Sequence, residues 1–354
     1  MLELVLDMKI GIYTPYLDTL GGGEKYIFDI ARCVADQHEV DVFWDDRDIL
    51  KKAEDRFGYS LAKITIKKPI FSGINSVYKT KRYDAIFFVS DGSIPTLFSK
   101  KNFLIIQFPI NWVNIGLREK IKLSRINAVL CYSEFVRSYL NKTFKKRIEV
   151  IPPFVNQYLD SKIKKENIIL SVGRFTKGMN RKKQEVMIEA FKKLVDKGNS
   201  NWELILIGSY RDEDKDYFNQ IVKLAGSYPV KIFGNVSFSL ISEYYNKAKI
   251  YWHAAGFGED IDKNPERAEH FGITTVEAMS AGCVPVVINQ GGQREIVEEN
   301  INGFLWDTED ELIKKTENVI KDRDIFERIS KEAIKRSSDF SDEIFCTKIN
   351  KLIK

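Results

Sequence analysis

The chain has 354 residues, 44% hydrophobic and 30% charged, with a formal net charge of +5. That length is more than one ordinary hydrophobic core holds and predicts two domains of a soluble globular protein. No apolar run in the chain approaches the ~20 residues a membrane-spanning helix needs.

The opening Met1–Asp7 is too short and too acidic for a signal peptide, and the first domain is expected to start near Met8. Residues 8–14 read as a buried strand. Gly21-Gly22-Gly23-Glu24 follows, then an amphipathic helix with Tyr26, Ile27, Ile30, Ala31 and Val34 at helical spacing, then a strand at Glu39–Trp44. Strand, glycine turn, helix, strand is the start of a doubly wound sheet. Further strands are predicted at Ala85–Val89, Phe103–Gln107 and Ala128–Tyr132, and Ser133-Glu134 caps a helix to about Leu140. Pro152-Pro153 and the polar stretch Gln157–Asn167 mark a boundary. A second series begins at Ile168–Gly173. Helices follow at about Gln184–Lys197, Asp214–Ala225 and Ser239–Ala248, alternating with strands at Trp202–Ile207, Val230–Phe233, Ile250–His253 and Val284–Ile288. From Asp307 the chain reads as helical and charged.

Cys33, Cys131, Cys283 and Cys346 form no CxxC pair and read as reduced thiols of a cytosolic protein. The three histidines show no metal-ligand spacing, so a zinc site is not expected. Residues 1–150 carry a net charge of +6 and the remainder −1. A basic first half suits an anionic membrane surface or an acidic acceptor, and equally plain solubility. Trp112 and Phe108, near Arg118, Lys120 and Lys122, fit a lipid interface, although such aromatics more often belong to a core. Nothing resembles a known nucleic-acid motif.

Ligands of open parallel sheets bind beyond the carboxyl ends of the strands, and two such sheets predict a cleft between them. The chemically suggestive residues fall at predicted strand ends: Gly21–Gly23, Gln107-Phe-Pro109, Gly173-Arg174, Gly208, Gly234, His253 and Glu269–Glu277. Arg174 ends a buried strand, and Arg181-Lys182-Lys183 opens a helix. Cations at a helix N-terminus oppose its dipole, so their presence there points to a bound diphosphate. Gly291-Gly292-Gln293-Arg294-Glu295 could offer backbone N–H groups to an anion or be an ordinary turn. His253 alone reads as structural or as part of the site. In Glu269-His-Phe-Gly-Ile-Thr-Thr-Val-Glu277 a carboxylate stands on each side of a helix start. Such a start suits a phosphate, and the carboxylates suit hydroxyls at the two ends of one ligand. Hydroxyls, phosphates, hydroxyls describe a nucleotide sugar.

The segment Glu269–Gly282 with Pro285–Val287, Gly173-Arg174 with Lys182 and Ile188–Phe191, and Gly291–Gly303 together resemble glycosyltransferase family 4. Those enzymes are retaining and have the GT-B fold, two Rossmann-like doubly wound α/β domains facing across a cleft. The Glu-His-Phe-Gly-Ile form looks most like mannosyltransferases that build lipid-linked oligosaccharides or surface polysaccharides. The resemblance implies an acceptor-binding domain at 1–155, a nucleotide-sugar-binding domain at 156–337, and a C-terminal helix at 338–354 packing back on the first domain. It implies that Glu269 holds sugar hydroxyls and Glu277 the ribose. Arg174 and Lys182 would bind the leaving diphosphate, with Phe271, Gly272, Ile273 and Thr274 near the proximal phosphate. Gly22 and Gly23 match the family's glycine loop, Gly234 and Val236 would lie near the base, and His253 is placed with the catalytic residues.

Gln107 stands where many relatives have a histidine, and Gly258–Arg267 is longer than the usual link into the motif, so it reads as a lid or acceptor loop. The expected reaction is front-face hexose transfer from a GDP- or UDP-linked donor to a glycan or lipid-linked acceptor. It needs no metal or other cofactor; Asp260-Ile-Asp262 resembles a metal motif in letters only. The expected location is cytoplasmic, peripheral on the inner face of a membrane. The alternatives are a nucleotide-sugar epimerase or hydrolase, and a non-catalytic nucleotide-sugar-binding subunit; a dehydrogenase lacks its GxGxxG.

Overall fold

The computed structural model describes residues 8–71, 76–110, 112–113, 115–178 and 181–354. Met1–Asp7, ahead of the expected domain start near Met8, therefore lies outside the described residues. Two units divide the chain, one ending at Phe154 and reclaiming Asp342–Lys354, the other spanning Val155–Ser341.

In the first unit the strands are β1 (Lys9–Tyr13), β2 (Glu39–Phe43), β3 (Ile64–Lys67), β4 (Ala85–Val89), β5 (Lys101–Ile105), β6 (Ala128–Cys131) and β7 (Ile148–Val150). They form one sheet in the order β3-β2-β1-β4-β5-β6-β7, parallel at every pairing. Its helices are α1 (Gly22–Ala35), α2 (Ile49–Phe57), α3 (Ser76–Thr80), α4 (Leu117–Ser124) and α5 (Glu134–Thr143). β4 reads Ala-Ile-Phe-Phe-Val and is buried throughout, as a parallel strand covered on both faces must be. α1 turns Tyr26, Ile27, Ile30, Ala31 and Val34 inward. Ser133 caps α5 by accepting from the Val136 N–H at 3.2 Å.

The second unit begins with β8 (Glu166–Val172), α6 (Gln184–Asp196), β9 (Glu203–Gly208), α7 (Lys215–Ala225), β10 (Val230–Gly234), α8 (Phe238–Lys247) and β11 (Ala248–His253). It continues with α9 (Ile273–Ser280), β12 (Val284–Ile288), α10 (Gln293–Ile296), β13 (Phe304–Trp306), α11 (Glu309–Lys321) and α12 (Arg323–Ser337). The sheet order is β10-β9-β8-β11-β12-β13, again parallel. The order reverses between β8 and β11, which makes their carboxyl ends the place for a ligand. Trp252, Trp306, Phe191, Ile188 and Leu206 are among the buried side chains of this core.

The last helix, α13 (Asp342–Ile353), returns to the first unit. Phe345 lies 5.3 Å from the Tyr26 ring of α1, and Arg32 pairs with Asp342. This return overturns the reading of four reduced thiols. Cys33 on α1 and Cys346 on α13 are joined in a disulfide with Cα atoms 5.1 Å apart, while Cys131 and Cys283 are free and buried. A separation of 313 residues hid the pair, because only the docking of the last helix brings the two together.

Candidate active site

Arg174 and His253 stand just past β8 and at the end of β11, on either side of the switch point of the second sheet. Close backbone approach shapes this edge: a Cβ on Gly208 would fall 2.0 Å from the Gly173 carbonyl oxygen. Gln184, at the first turn of α6, donates to the Arg174 carbonyl at 3.0 Å and so fixes the strand end. The Arg174 side chain is exposed.

Lys182, His253 and Glu269 form one cluster. Lys182 Nζ lies 2.5 Å from Glu269 Oε2, with the two side chains 15% and 13% exposed. His253 Nε2 is 2.8 Å from the same oxygen. Burial opposes ionisation of Glu269, but the Lys182 charge and the His253 hydrogen bond outweigh it and hold this carboxyl well below its usual range. Burial lowers the His253 pKa despite the carboxylate beside it, so the ring is neutral. The Ala255 N–H donates to Nδ1 at 3.4 Å, which leaves Nε2–H to donate to Glu269. His253 thus orients Glu269, and its only N–H is already used there.

Gly272 opens α9 with φ 122°, a conformation that favours glycine. The helix has no acidic residue in its first turn, and the N–H groups of Ile273 and Thr274 belong to the orphan donors of a helix start. Tyr251 donates to Thr274 Oγ1 at 2.7 Å and ties this turn to β11. The Phe271 ring packs against Phe340, centroids 5.2 Å apart. Gly291 and Gly292 press against the same segment, with the Gly292 N–H donating to the Glu269 carbonyl at 2.8 Å.

Glu277 lies about one turn into α9, and its carboxylate is held by tyrosines that sequence reasoning missed. Tyr245 of α8, fully buried, donates to Oε2 at 2.7 Å, and Tyr158 lies 3.4 Å from Oε1. Asn246 fixes Tyr158 in turn by donating to its carbonyl at 2.8 Å. Burial and the Glu277 charge raise the Tyr245 pKa, so it remains a donor. Lys165 supports α8 from below, its Nζ donating to the Tyr245 and Ala248 carbonyls at 3.1 and 2.7 Å.

Gly234 and Val236 sit at and beyond the end of β10, two strands from β8. Gly234 lies tight against Tyr210, where a Cβ would come within 2.4 Å of the ring. Gly22 and Gly23 open α1 in the first unit. There Gln107 Nε2 donates to the Gly23 carbonyl at 3.1 Å, so this glutamine is engaged with the glycine turn. Among the described residues, the one group of candidate metal ligands is Cys33, Asp342 and Cys346, and its two cysteines form the disulfide.

Arg174, Lys182, an ionised carboxylate and a helix start lie at the carboxyl edge of a doubly wound sheet, beside its switch point, an arrangement of the kind that receives a phosphorylated ligand. The chain belongs to the glycosyltransferases: residues 160–336 match the family described as Glycosyl transferases group 1, and residues 20–157 that described as Glycosyltransferase Family 4. It is 28% identical over 198 residues to a GDP-Man:Man(3)GlcNAc(2)-PP-Dol alpha-1,2-mannosyltransferase of Dictyostelium discoideum, covering 54% of this chain and 37% of that protein. The Mus musculus protein of the same name is 32% identical over 213 residues, covering 55% and 41%. The chain thus spans well under half the length of either. The glycosyltransferase of Rickettsia africae ESF-5 superposes with a TM-score of 0.75 at 18% identity, covering 99% of this chain and 98% of that one. Anabaena Alr3699/HepE in complex with UDP and glucose gives 0.72 at 20% identity, covering 97% and 98%. These likenesses establish the GT-B fold.

Proposed function

We propose that this chain is a retaining glycosyltransferase that moves a hexose, mannose first among them, from a GDP- or UDP-linked donor to a lipid-linked or glycan acceptor. The observation that carries the reading is the Lys182–Glu269–His253 cluster beside the start of α9. Glu269 is ionised and aimed by two donors, so it can accept hydrogen bonds from sugar hydroxyls. Glu277, held by Tyr245, can do the same for a ribose. The mannose preference is supported by the names of the similar curated proteins.

In the proposed reaction the bond between the sugar C1 and the phosphate oxygen breaks as the acceptor oxygen bonds to C1 on the same face. The acceptor proton passes to the departing phosphate. Charge grows on the diphosphate, and Arg174, Lys182 and the N–H groups of Ile273 and Thr274 stabilise it where it develops. With that charge already met by the chain, we propose that no divalent cation is needed. Turnover should persist in excess EDTA, and its loss there would refute this part of the reading.

The acceptor proposal has a surface to go with it. Trp112, Leu117 and Ile121 are 55%, 77% and 63% exposed, among Arg118, Lys120 and Lys122 of α4. Apolar side chains with basic neighbours suit the anionic face of a membrane, and we place the enzyme there, peripheral and on the cytoplasmic side. No helix among the described residues is long and apolar enough to cross a membrane. Co-sedimentation should rise with phosphatidylserine content and fall in Leu117→Ser/Ile121→Ser; equal recovery with neutral vesicles would remove the membrane from the account.

The deciding test supplies GDP-mannose and UDP-glucose with and without a polyprenyl-diphosphate glycan. Acceptor-dependent sugar transfer supports the proposal. Donor breakdown without acceptor would favour a hydrolase, and donor binding without turnover a non-catalytic subunit.

A further inference from the structure

The insertion Gly258–Arg267 reaches back to the basic edge of the site. Glu259 Oε1 lies 2.6 Å from Lys183 Nζ, with side chains 14% and 13% exposed, and its other oxygen lies 2.7 Å from Arg267 Nη1. The Lys183 bond and the Arg267 bond both hold Glu259 below the usual carboxylate range, so it is ionised. Arg267 stands at the far end of the insertion, so the pair closes the loop on itself. Lys183 is a non-glycine residue with φ 55° and ψ 45° at the N-cap of α6, a conformation that L side chains disfavour. In that conformation its carbonyl accepts from the Val186 and Met187 N–H groups at 3.1 and 3.4 Å and starts the helix. Its neighbour Lys182 packs its stem against Gly173, where a Cβ would come within 2.7 Å of Cγ, and sends Nζ to Glu269. Two consecutive lysines thus grip two carboxylates, Glu259 near the start of this loop and Glu269 just past its end.

We propose that Glu259 is a positioning residue: it anchors Lys183 in its left-handed conformation and so sets the direction of Lys182. The insertion is then a brace for the diphosphate-binding lysine. The link to a diphosphate rests on the transferase reading above, whereas the bracing of the Lys182-Lys183 segment does not.

The test uses Glu259→Gln, which keeps the shape and removes the charge, with Lys183→Ala and Lys183→Gly. Each is checked for an unchanged circular dichroism spectrum. Hydrogen exchange of the Val186 and Met187 amides is read first, without nucleotide, and should quicken about tenfold in Glu259→Gln, a charge-assisted bond lost. The dissociation constants for GDP and UDP are read second. Both lysine variants lose the Glu259 contact, but glycine adopts φ 55° without a Cβ penalty. Lys183→Gly should therefore bind nucleotide several-fold more tightly than Lys183→Ala, and adding Glu259→Gln to it should change little. Unchanged exchange in a folded Glu259→Gln, or equal affinities for the alanine and glycine variants, would overturn the proposal. Absence of nucleotide binding by the wild type would instead remove the transferase reading, and the exchange result would still decide the brace.

Discussion

Replacing Lys182 with methionine separates charge from packing at the centre of the site. The thioether keeps the stem against Gly173, while the ammonium 2.5 Å from Glu269 is lost. Glu269 then keeps the hydrogen bond from the neutral His253 at 2.8 Å. Removing one partner of a fully buried pair costs about 3–5 kcal/mol. Here both side chains keep some contact with solvent, 15% and 13%, so the loss should be about 1–2 kcal/mol at neutral pH. The pH dependence follows from the sign of the shift. The folded carboxyl is held below its unfolded value of about 4.3, so its contribution is complete above that value and is lost as pH falls through the folded one. The gap between wild type and Lys182→Met should therefore be widest near pH 7 and shrink below about pH 4. Urea unfolding followed by tryptophan fluorescence reads this directly, since Trp202, Trp252 and Trp306 all lie in the second unit. The same variant should bind GDP or UDP about 10- to 100-fold more weakly, as expected for a lost charge-assisted contact. A stability gap independent of pH, together with unchanged nucleotide affinity, would refute the assignment.

Tyr245→Phe removes one hydroxyl from the Glu277 carboxylate and should weaken nucleoside diphosphate binding by about tenfold, with a smaller effect on free diphosphate; equal losses for both would place Glu277 away from the ribose. Burial lowers the pKa of both His253 and His270, the latter to about 4, so both fold in neutral form. Their contribution is complete above the unfolded value of about 6.5 and is lost as pH falls through the folded values; His270→Gln should flatten part of that loss between about pH 6.5 and 4, and an unchanged profile would contradict the assignment. Unreduced, denatured protein should titrate with two thiols, Cys131 and Cys283, and Cys33→Ser should lower the stability of the first unit by about 2–5 kcal/mol. Four reactive thiols would remove the disulfide from the account.

The alternation of buried strands and amphipathic helices was legible because parallel strands such as Ala85–Val89 and Val284–Ile288 are apolar throughout and end at glycine or polar turns. The short outer strands Ile64–Lys67, Ile148–Val150 and Phe304–Trp306 were missed, since three or four residues are too short a run to distinguish strand from loop. Helices Ile49–Phe57 and Leu117–Ser124 were missed for a related reason: each buries one or two side chains. Of the candidate site, Glu269, Lys182, Arg174 and Glu277 were singled out through the resemblance to glycosyltransferase family 4, which their motifs carry. Tyr158, Tyr245 and Glu259 were not, because they act on Glu277 and Lys183 from segments 32 to 119 positions away in sequence. The partner of Glu259, Lys183, could be found only from the fold.

The central claim is that Arg174, Lys182 and the start of α9 receive the diphosphate of a sugar donor. The most direct measurement is calorimetric titration of GDP, UDP and ADP into wild type and Arg174→Ala, in EDTA. Saturable binding of at least one of the first two is expected, weakened tenfold or more (about 1.4 kcal/mol) by the substitution. Binding that is indifferent to Arg174, or no binding of any nucleotide, would contradict it.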